Sequence, residues 1–248
     1  MKKVILITGG GRGIGAATSL LAAQAGYHVA VNYRVNQDAA NEVVSKIKEI
    51  GGTAIAVRAD VAIEEDVVRM FREVDEKLGS LTALVNNAGI LQKQCKVIDL
   101  DGPRLQRIFA ANSIGPILCS REAIKRMSRS NGGKGGAIVN ISSTAIKHGG
   151  AFEYADYAAS KGAVEVFTLG LAKEVAPEGI RVNAVRPGSV YTEIHTDGGE
   201  PGRVDRIKDG IPLKRGGQPE EIAKAVLWLI SDEASYCAGS ILDVSGGK

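Results

Sequence analysis

Residues 4–15 read VILITGGGRGIG, an apolar run that passes into a glycine-rich turn and then into a predicted helix. This order is typical of a dinucleotide site, because the helix N-terminus faces the phosphates. Gly9 permits the turn, Gly13 lets the backbone approach a pyrophosphate, and Gly15 allows close packing of the helix on the strand. The alternative is a glycine turn with a structural role alone. The residues assigned to the dinucleotide here are Gly9, Arg12, Gly13, Ile14 and Gly15.

Short β-branched runs alternate with helical patterns along the chain, as in parallel βαβ units. The predicted strands lie near residues 3–8, 27–33, 53–59, 81–86, 136–142, 180–186 and 240–244. The predicted helices lie near residues 14–25, 37–50, 63–78, 102–128, 156–176 and 219–231. Strands that are apolar without interruption, such as residues 4–7, indicate burial on both faces. We therefore predict an α/β fold, a Rossmann-type doubly wound sheet of about seven parallel strands flanked by helices.

The size and charge of the chain favour one domain over residues 1–248 that binds small molecules. Its 248 residues and 26.0 kDa fall within the roughly 250 residues that one hydrophobic core serves. A net charge of +3, without a basic run, argues against a nucleic-acid partner. No apolar stretch approaches the ~18 residues of a membrane span, and residues 4–7 are too few for a signal peptide.

Three isolated cysteines, Cys95, Cys119 and Cys237, show no CxxC spacing. Neither a disulfide framework nor a zinc site is indicated by them. We therefore predict a cytoplasmic protein without a metal site.

Two segments interrupt the alternation of strands and helices. Residues 129–135, rich in Gly, Ser and Asn, are predicted to form a surface loop. Residues 191–217 lack periodicity and follow the sixth strand, which predicts a mobile cover over a ligand site. Within it, His195, Asp197 and Glu200 either meet polar hydroxyls or are solvated, and we favour solvation.

The end of the second strand, residues 31–34 (VNYR), favours NADP(H) over NAD(H). An acidic residue there binds the ribose hydroxyls of NAD, whereas a basic residue accommodates the 2′-phosphate of NADP. No Asp or Glu ends this strand, and Arg34 and Arg12 are placed to converge on a phosphate. A solvated charge is the alternative for Arg34, and NAD(H) is the alternative cofactor. The residues assigned to the cofactor here are Asn32, Tyr33 and Arg34.

Residues 157–161 read YAASK and place Tyr157 and Lys161 on one helix face. A phenol has an ordinary pKa of about 10, so it needs a nearby cation to act near neutral pH. Tyr157 would then give a proton to a carbonyl oxygen or remove one from an alcohol. Ser143, at the end of the fifth strand, would hydrogen-bond the same oxygen.

Two neighbours resemble these residues without taking their roles. Ser142 adjoins Ser143, and we expect it to pack into the strand end. Tyr154 is followed four residues later by Ala158 rather than by a lysine. We therefore expect Tyr154 to be a pocket or loop residue.

The motifs in this order resemble the short-chain dehydrogenase/reductase family over nearly the whole chain. They are TGGGRGIG at residues 8–15, NNAG at residues 86–89, FAANS at residues 109–113 and YAASK at residues 157–161. The resemblance implies that Asn112 holds a water that links Lys161 to a proton relay. It also assigns adenine contacts to Asp60 and Val61, and the lining of the cofactor cleft to Asn87, Ala88 and Gly89. Without the family, Asp60 is a cap or turn residue and the NNAG run an ordinary turn.

Residues 186–192 (RPGSVYT) resemble the family segment that packs on the nicotinamide. The resemblance implies that the Val190 backbone and the Thr192 hydroxyl bind the carboxamide and so orient the ring for hydride transfer. The residues assigned to the cofactor in this segment are Pro187, Gly188, Val190 and Thr192. Departures from the family pattern are Cys237, where Thr is common, and a glycine-rich insertion after Ser130.

The resemblance implies an NADP(H)-dependent oxidoreductase that interconverts a carbonyl and a secondary alcohol, with Tyr157 as general acid/base. The catalytic residues would be Asn112, Ser143, Tyr157 and Lys161, and Tyr157 and Lys161 would also contact the cofactor. Sugar dehydrogenases of the glucose or ribitol type and 3-oxoacyl-carrier-protein reductases are equally similar in sequence pattern. The family also implies a homotetramer formed through the helices near residues 102–128 and 156–176 and the C-terminal strand. The alternative is a non-catalytic NADP-binding sensor or regulatory protein on the same fold.

Overall fold

The computed structural model describes residues 2–248 and is built around a single sheet. Its strands are β1 (Lys3–Ile7), β2 (Tyr27–Tyr33), β3 (Ala54–Arg58), β4 (Ala83–Asn86), β5 (Gly136–Ile141), β6 (Ile180–Pro187) and β7 (Ile241–Val244). All seven are parallel, in the order β3-β2-β1-β4-β5-β6-β7. The order reverses between β1 and β4, where doubly wound sheets bind ligands at the carboxyl ends of their strands.

The helices lie on both faces of this sheet. They are α1 (Gly13–Gln24), α2 (Gln37–Glu49), α3 (Glu64–Leu78), α4 (Gly102–Phe109), α5 (Gly115–Met127), α6 (Ala145–His148), α7 (Ala155–Val175), α8 (Ile194–Asp197), α9 (Arg203–Ile207) and α10 (Pro219–Ile230). The predicted fold class is confirmed, and six of the seven predicted strands overlap the observed ones with both ends within one residue. The fourth strand begins at Ala83, within two residues of its predicted start.

The uninterrupted apolar run of β1 is explained by burial on both faces. Ile5 and Ile7 belong to a core cluster that includes residues of α2 and α10. Val4 and Leu6 belong to a second cluster that includes residues of α3 and α5. Because successive side chains of a strand point to opposite faces, both halves of the run are needed to fill two cores.

The predicted helix over residues 102–128 is interrupted. A five-residue π-helix, Ala110–Ile114, separates α4 from α5, and the Gly115 N–H donates to the carbonyl of Ala110. Pro116 has no N–H with which to continue an α-helical pattern to Asn112. A Cβ on Gly115 would lie 2.9 Å from the Val61 side chain, so the helix runs close to the loop after β3. The π-turn holds Asn112 fully buried.

Residues 191–217, which we call the cover, contain more structure than their sequence predicts. Two short helices, α8 and α9, lie within it. An isolated bridge between Val190 and Gly217 brings the two ends of the cover together. Among the described residues, no helix combines the length and the apolar character needed to span a bilayer.

Candidate active site

The glycine-rich turn is shaped by backbone conformations and contacts that side chains would prevent. Gly9 and Gly13 have φ values of 61° and 49°, in the left-handed region that favours glycine. A Cβ on Gly15 would overlap the Gly9 carbonyl oxygen and lie 2.6 Å from the Asn87 amide nitrogen. The close approach of α1 to the turn predicted at Gly15 is therefore present.

The N-terminus of α1 is open to an anion. Its N-cap, Arg12, has an extended backbone and no capping side chain, and the first turn carries no acidic residue. The N–H groups of this turn therefore fit a pyrophosphate. The cover lies beside this point: a Cβ on Gly13 would be 3.0 Å from the Thr192 methyl group.

Asn32 supports the turn from behind. Its Oδ1 accepts a hydrogen bond from the Gly9 N–H at 3.1 Å, and its amide donates to the carbonyls of Val57 and Ala59 at 3.3 and 3.1 Å. Asn32 is 2% exposed. The sequence assigns Asn32 to the cofactor, whereas in the structure its side-chain hydrogen bonds already join β2 to the ends of β1 and β3.

Two arginines stand at the rim of the same cleft. Arg34 follows β2 and is exposed, with its guanidinium 3.5 Å from the Asp60 carboxylate. Arg12 pairs with Asp197 of α8. Asp60 also accepts a hydrogen bond from the Ala62 N–H at 3.0 Å, as expected of a turn residue. Tyr33 is half-buried beside Arg34, and Val61 is buried at 6% exposure.

The loop after β4 is tied to the glycine turn by short hydrogen bonds. The Thr8 hydroxyl accepts from the N–H groups of Asn87 and Ala88 at 3.0 and 2.9 Å. The Asn87 amide donates to the carbonyls of Thr8 and Gly9 at 2.8 and 3.1 Å. These bonds fix the loop after β4 against the glycine turn. We call this loop, the turn and the buried residues packed beside them, including Asn112 and Lys161, the floor of the cleft. A Cβ on Gly89 would lie 3.4 Å from both Asn112 Oδ1 and Lys161 Nζ.

Tyr157, Lys161, Ser143 and Asn112 come together beside that floor. Lys161 Nζ lies 5.8 Å from the centre of the Tyr157 ring and donates to the Ile141 carbonyl at 2.8 Å. Ser143 lies close enough to the Tyr157 phenol to lower its pKa, and the Ser143 hydroxyl accepts a hydrogen bond from the Ala145 N–H at 3.1 Å. The structure thus gathers the four residues that the sequence singles out for catalysis.

Asn112 contacts both the cleft floor and the helix that carries Tyr157. Its Oδ1 accepts from the Ile90 N–H at 2.7 Å, and its amide donates to the Ile90 carbonyl at 3.0 Å. The same amide donates to the Ser160 hydroxyl at 3.2 Å. The side chain is therefore occupied by protein groups that lock the loop after β4 against α7.

Burial shifts both ionisable groups toward their neutral forms. It raises the pKa of Tyr157 to about 12, against the opposing hydrogen bond from Ser143. It lowers the pKa of Lys161 to about 8. Lys161 is expected from sequence to support phenolate, whereas without a bound cofactor burial outweighs it and the phenol stays protonated. A protonated phenol beside a partly charged amine is suited to giving a proton to a carbonyl oxygen.

A buried ion-pair network stands behind the two serines and has no local sequence signal. Ser142 donates to Glu165 Oε1 at 2.6 Å, and Arg186 binds Glu165 with two nitrogens at 2.8 and 2.6 Å. Arg186 also pairs with Asp243 of β7 at 2.9 Å. Ser142 is 2% exposed, as its expected packing into the strand end requires. The network supports Ser143 through its neighbour.

The cover is joined to the loops around the cleft by charged pairs. Arg203 pairs with Glu153, before α7, and with Glu200 at 3.0 Å. Arg206 pairs with the same two carboxylates. Glu200 also accepts from Gln94 at 2.6 Å.

The expected solvation is wrong for Glu200, whose side chain is 24% exposed and pairs with Arg203 and Arg206 within the cover, whereas Asp197 pairs with Arg12 and stays about half exposed. His195 is also expected to be solvated, but its Nδ1 atom is buried. Among residues 2–248, no group of three His, Cys, Asp or Glu side chains is arranged to hold a metal ion.

Comparison with known sequences gives a consistent set of relatives. Residues 9–248 match a family model described as enoyl-(acyl carrier protein) reductase. The chain is 57% identical over 245 residues to an uncharacterized oxidoreductase, YgfF, of Escherichia coli K12, with 99% of each chain covered. It is 37% identical over 247 residues to the 3-oxoacyl-(acyl-carrier-protein) reductase FabG of Staphylococcus aureus Mu50, covering 100% of this chain and 98% of the relative.

Solved structures give the same result. A dehydrogenase/reductase from Sinorhizobium meliloti 1021 superimposes with a TM-score of 0.90 at 33% identity, covering 99% of this chain and 94% of that one. A mutant short-chain dehydrogenase/reductase from Serratia marcescens gives a TM-score of 0.90 at 36% identity, with 99% and 97% covered. Both share the fold over nearly their full length.

Proposed function

Because the chain belongs to the short-chain dehydrogenase/reductase family of nicotinamide-dependent oxidoreductases, we propose that it interconverts a small-molecule ketone and a secondary alcohol with NADP(H) as its cofactor. One observation carries the proposal. The Tyr157 phenol, with Ser143 close enough to lower its pKa and Lys161 Nζ 5.8 Å from the centre of its ring, lies at the carboxyl end of the sheet beside a turn that fits a pyrophosphate.

The bound nicotinamide ring would supply the hydride to the carbonyl carbon. Tyr157 donates its proton to the carbonyl oxygen as negative charge develops there. Ser143 donates a hydrogen bond to the same oxygen and orients it. Lys161, in its charged form, stabilises the phenolate that results. Asn112 holds the loop after β4 against α7 and so keeps these groups in register.

We propose NADP(H) rather than NAD(H) because two exposed arginines, Arg12 and Arg34, border the adenosine end of the cleft and no acidic residue ends β2. A 2′-phosphate would take the place that Asp197 has at Arg12. The other residues proposed to bind the cofactor are Gly9, Gly13, Ile14, Gly15, Tyr33, Asp60, Val61, Asn87, Ala88, Gly89, Tyr157, Lys161, Pro187, Gly188, Val190 and Thr192.

We also propose a homotetramer. Apolar side chains are exposed near α5 and on α7, at Ile114, Ile117, Val166 and Leu169, and β7 is an edge strand. Burial of these side chains between copies would remove apolar area from water. Light scattering is expected to give four times the mass of the chain. A cytoplasmic location is proposed on the three unpaired cysteines.

The test is a panel of ketones, aldehydes and polyols, followed at the NADPH absorbance band with NADPH and with NADH in parallel. We expect turnover, and a higher kcat/KM with NADPH. A preference for NADH would contradict the role of Arg34. NADPH binding without turnover of any carbonyl or alcohol would instead favour the sensor alternative.

A further inference from the structure

One arginine, Arg104 of α4, is buried between α7 and the loop after β4. It is 8% exposed, and its partner Asp156, in the first turn of α7, is 4% exposed. The Arg104 Nε donates to Asp156 Oδ2 at 2.6 Å, and its Nη1 donates to the Lys93 carbonyl at 2.7 Å. A single guanidinium therefore joins the loop after β4 to the helix that carries Tyr157.

Asp156 in turn holds the main chain of Tyr157. The first hydrogen bond of α7 runs from the Ala158 N–H to the Tyr154 carbonyl at 2.9 Å, so the Tyr157 N–H has no main-chain partner. Asp156 Oδ1 accepts from this N–H at 2.9 Å. The N-cap of α7, Tyr154, makes no side-chain capping bond. The contacts of Arg104 and Asp156 therefore run without a gap from the loop after β4 to the main chain of the proposed acid.

The main chain around Arg104 is fixed as well. Asp101, the N-cap of α4, accepts from the Arg104 N–H at 2.6 Å. In the loop after β4, the Cys95 N–H donates to the Glu153 carbonyl, before α7, at 3.1 Å. Beyond Arg104, α4 continues into the π-turn that holds Asn112. Arg104 thus lies on the element that leads to Asn112 and bonds the element that carries Tyr157.

Stability alone does not account for a charged pair at this point. Burial opposes the charge of Arg104, but the hydrogen bond and the charge of Asp156 outweigh it and raise the pKa of Arg104. Because taking two charges out of water is costly, a buried ion pair adds little to the free energy of unfolding compared with apolar side chains of similar volume. What the pair supplies is geometry, since a planar guanidinium binds two acceptors in fixed directions and a flexible ammonium does not.

We propose that Arg104 and Asp156 are positioning residues of the carbonyl reduction, which set the place of the Tyr157 phenol relative to the loop after β4. They act through the Tyr157 main chain and the Lys93 carbonyl. Proton transfer requires the phenol to lie within hydrogen-bond reach of the substrate oxygen, and a misplacement of about 1 Å can cost about 10²-fold in rate. The assignment rests on the proposed function and deepens it.

The test measures turnover in Asp156→Asn, which keeps the shape of the side chain and an acceptor for the Tyr157 N–H but removes the charge that holds Arg104. With the ketone that the wild type reduces fastest, kcat is expected to fall about tenfold. The dissociation constant of NADPH is expected to change less than about twofold, because the glycine turn is untouched. The solvent isotope effect on kcat is expected to rise, since proton transfer from a displaced phenol becomes slower than the other steps.

Two more variants separate geometry from charge and from folding. Arg104→Lys keeps the charge but loses the fork of nitrogens, and is expected to lower kcat about as much as Asp156→Asn. In Arg104→Met/Asp156→Asn no buried charge is left without a partner, so the melting temperature is expected to lie closer to that of the wild type than in Asp156→Asn. Its kcat is expected to remain about tenfold below that of the wild type.

The matched control is Glu122→Gln, which also removes a buried carboxylate. The Glu122 side chain is 4% exposed on α5 and pairs with Lys125 and Arg126, neither of which is proposed for catalysis. The control is expected to lower the melting temperature and to leave kcat and the solvent isotope effect at their wild-type values. An equal fall of kcat in Glu122→Gln would overturn the assignment, because the effect would then follow stability.

The failure of this assignment differs from a failure of the proposed function. Asp156→Asn and Arg104→Lys proteins with the kcat and the isotope effect of the wild type, whatever their melting temperatures, overturn the positioning role and leave carbonyl reduction intact. A wild-type protein that reduces none of the carbonyls with NADPH or NADH overturns the proposed function and the positioning role with it.

Discussion

The floor of the cleft and its cover are held in place by different forces. On the floor, Asn112 and Lys161 are almost fully buried and bonded to main-chain groups of neighbouring elements. The cover is attached by charged pairs such as Arg12 with Asp197, in which both side chains are about half exposed. Buried hydrogen bonds resist displacement, whereas exposed ion pairs contribute little and weaken with salt. We therefore expect the residues proposed for catalysis to be held rigidly, and the cover beside the cleft to move more easily.

The largest difference between the two regions is expected from a pair of tyrosines. Tyr157→Phe removes the proposed proton donor and is expected to lower kcat by about 10³-fold. Tyr191→Phe, in the cover, removes one exposed hydrogen bond to Asp205, 2.9 Å long, and is expected to change kcat less than about twofold. Steady-state kinetics measure both values. Equal effects of the two variants would mean that the floor does not hold the catalytic acid.

The rigidity of the floor is tested next with a pair of glycines. Gly15→Ala places a methyl group against the Gly9 carbonyl and is expected to lower the free energy of unfolding by about 1–3 kcal/mol. Gly102→Ala, where nothing lies within 4 Å, is expected to stay within about 0.5 kcal/mol of the wild type. Urea unfolding gives both numbers. A Gly15→Ala protein as stable as Gly102→Ala would show that the turn accommodates a methyl group without strain.

The pH dependence of reduction is the third expected effect. The pKa of Lys161 is lowered to about 8, so the amine is charged below pH 8 and loses its charge above it. Support for the Tyr157 phenolate is then lost, and kcat/KM for reduction is expected to fall about tenfold per pH unit above that point. Tyr157 itself, with its pKa raised to about 12, stays protonated throughout. In Lys161→Arg the charge persists, and a profile that still bends near pH 8 would contradict this explanation.

The smallest effect is expected in the cover. Asp197→Asn releases Arg12, which is then free to meet a phosphate, and is expected to tighten NADPH binding about two- to threefold at low salt. High salt should remove most of that gain. The control is Asp205→Asn, since Asp205 pairs with Lys208 instead of Arg12. Fluorescence titration measures the affinity, and weaker binding in Asp197→Asn would mean that the pair helps to hold the cofactor site together.

The sequence predicts the floor far better than the cover, for a physical reason. Glycines at fixed spacing, and Tyr157 with Lys161 one helical turn apart, are local patterns. The pairs that attach the cover to the rest of the fold, Arg12 with Asp197 and Arg203 with Glu153, join residues far apart in the chain, and no periodicity marks them. The network of Glu165, Arg186 and Asp243 escapes prediction in the same way.

The interruption of the helix over residues 102–128 escapes prediction for a different reason. Residues 110–114 read AANSI and contain no helix-breaking residue, so only the Gly115-Pro116 pair after them signals a break. The Tyr154 hydroxyl and His195 Nδ1 are buried without a hydrogen-bond partner among the described residues, which depends on tertiary packing that a residue pattern does not encode.

The π-turn at Ala110–Ile114 has an evolutionary consequence. A π-turn holds one more residue than an α-turn, so it absorbs an extra residue while the helices on either side stay in phase with their cores. In a related sequence, loss of one residue within it would remove this bulge, and Asn112 would no longer face Ile90 and Ser160. Such a deletion would therefore misalign the loop after β4 with α7.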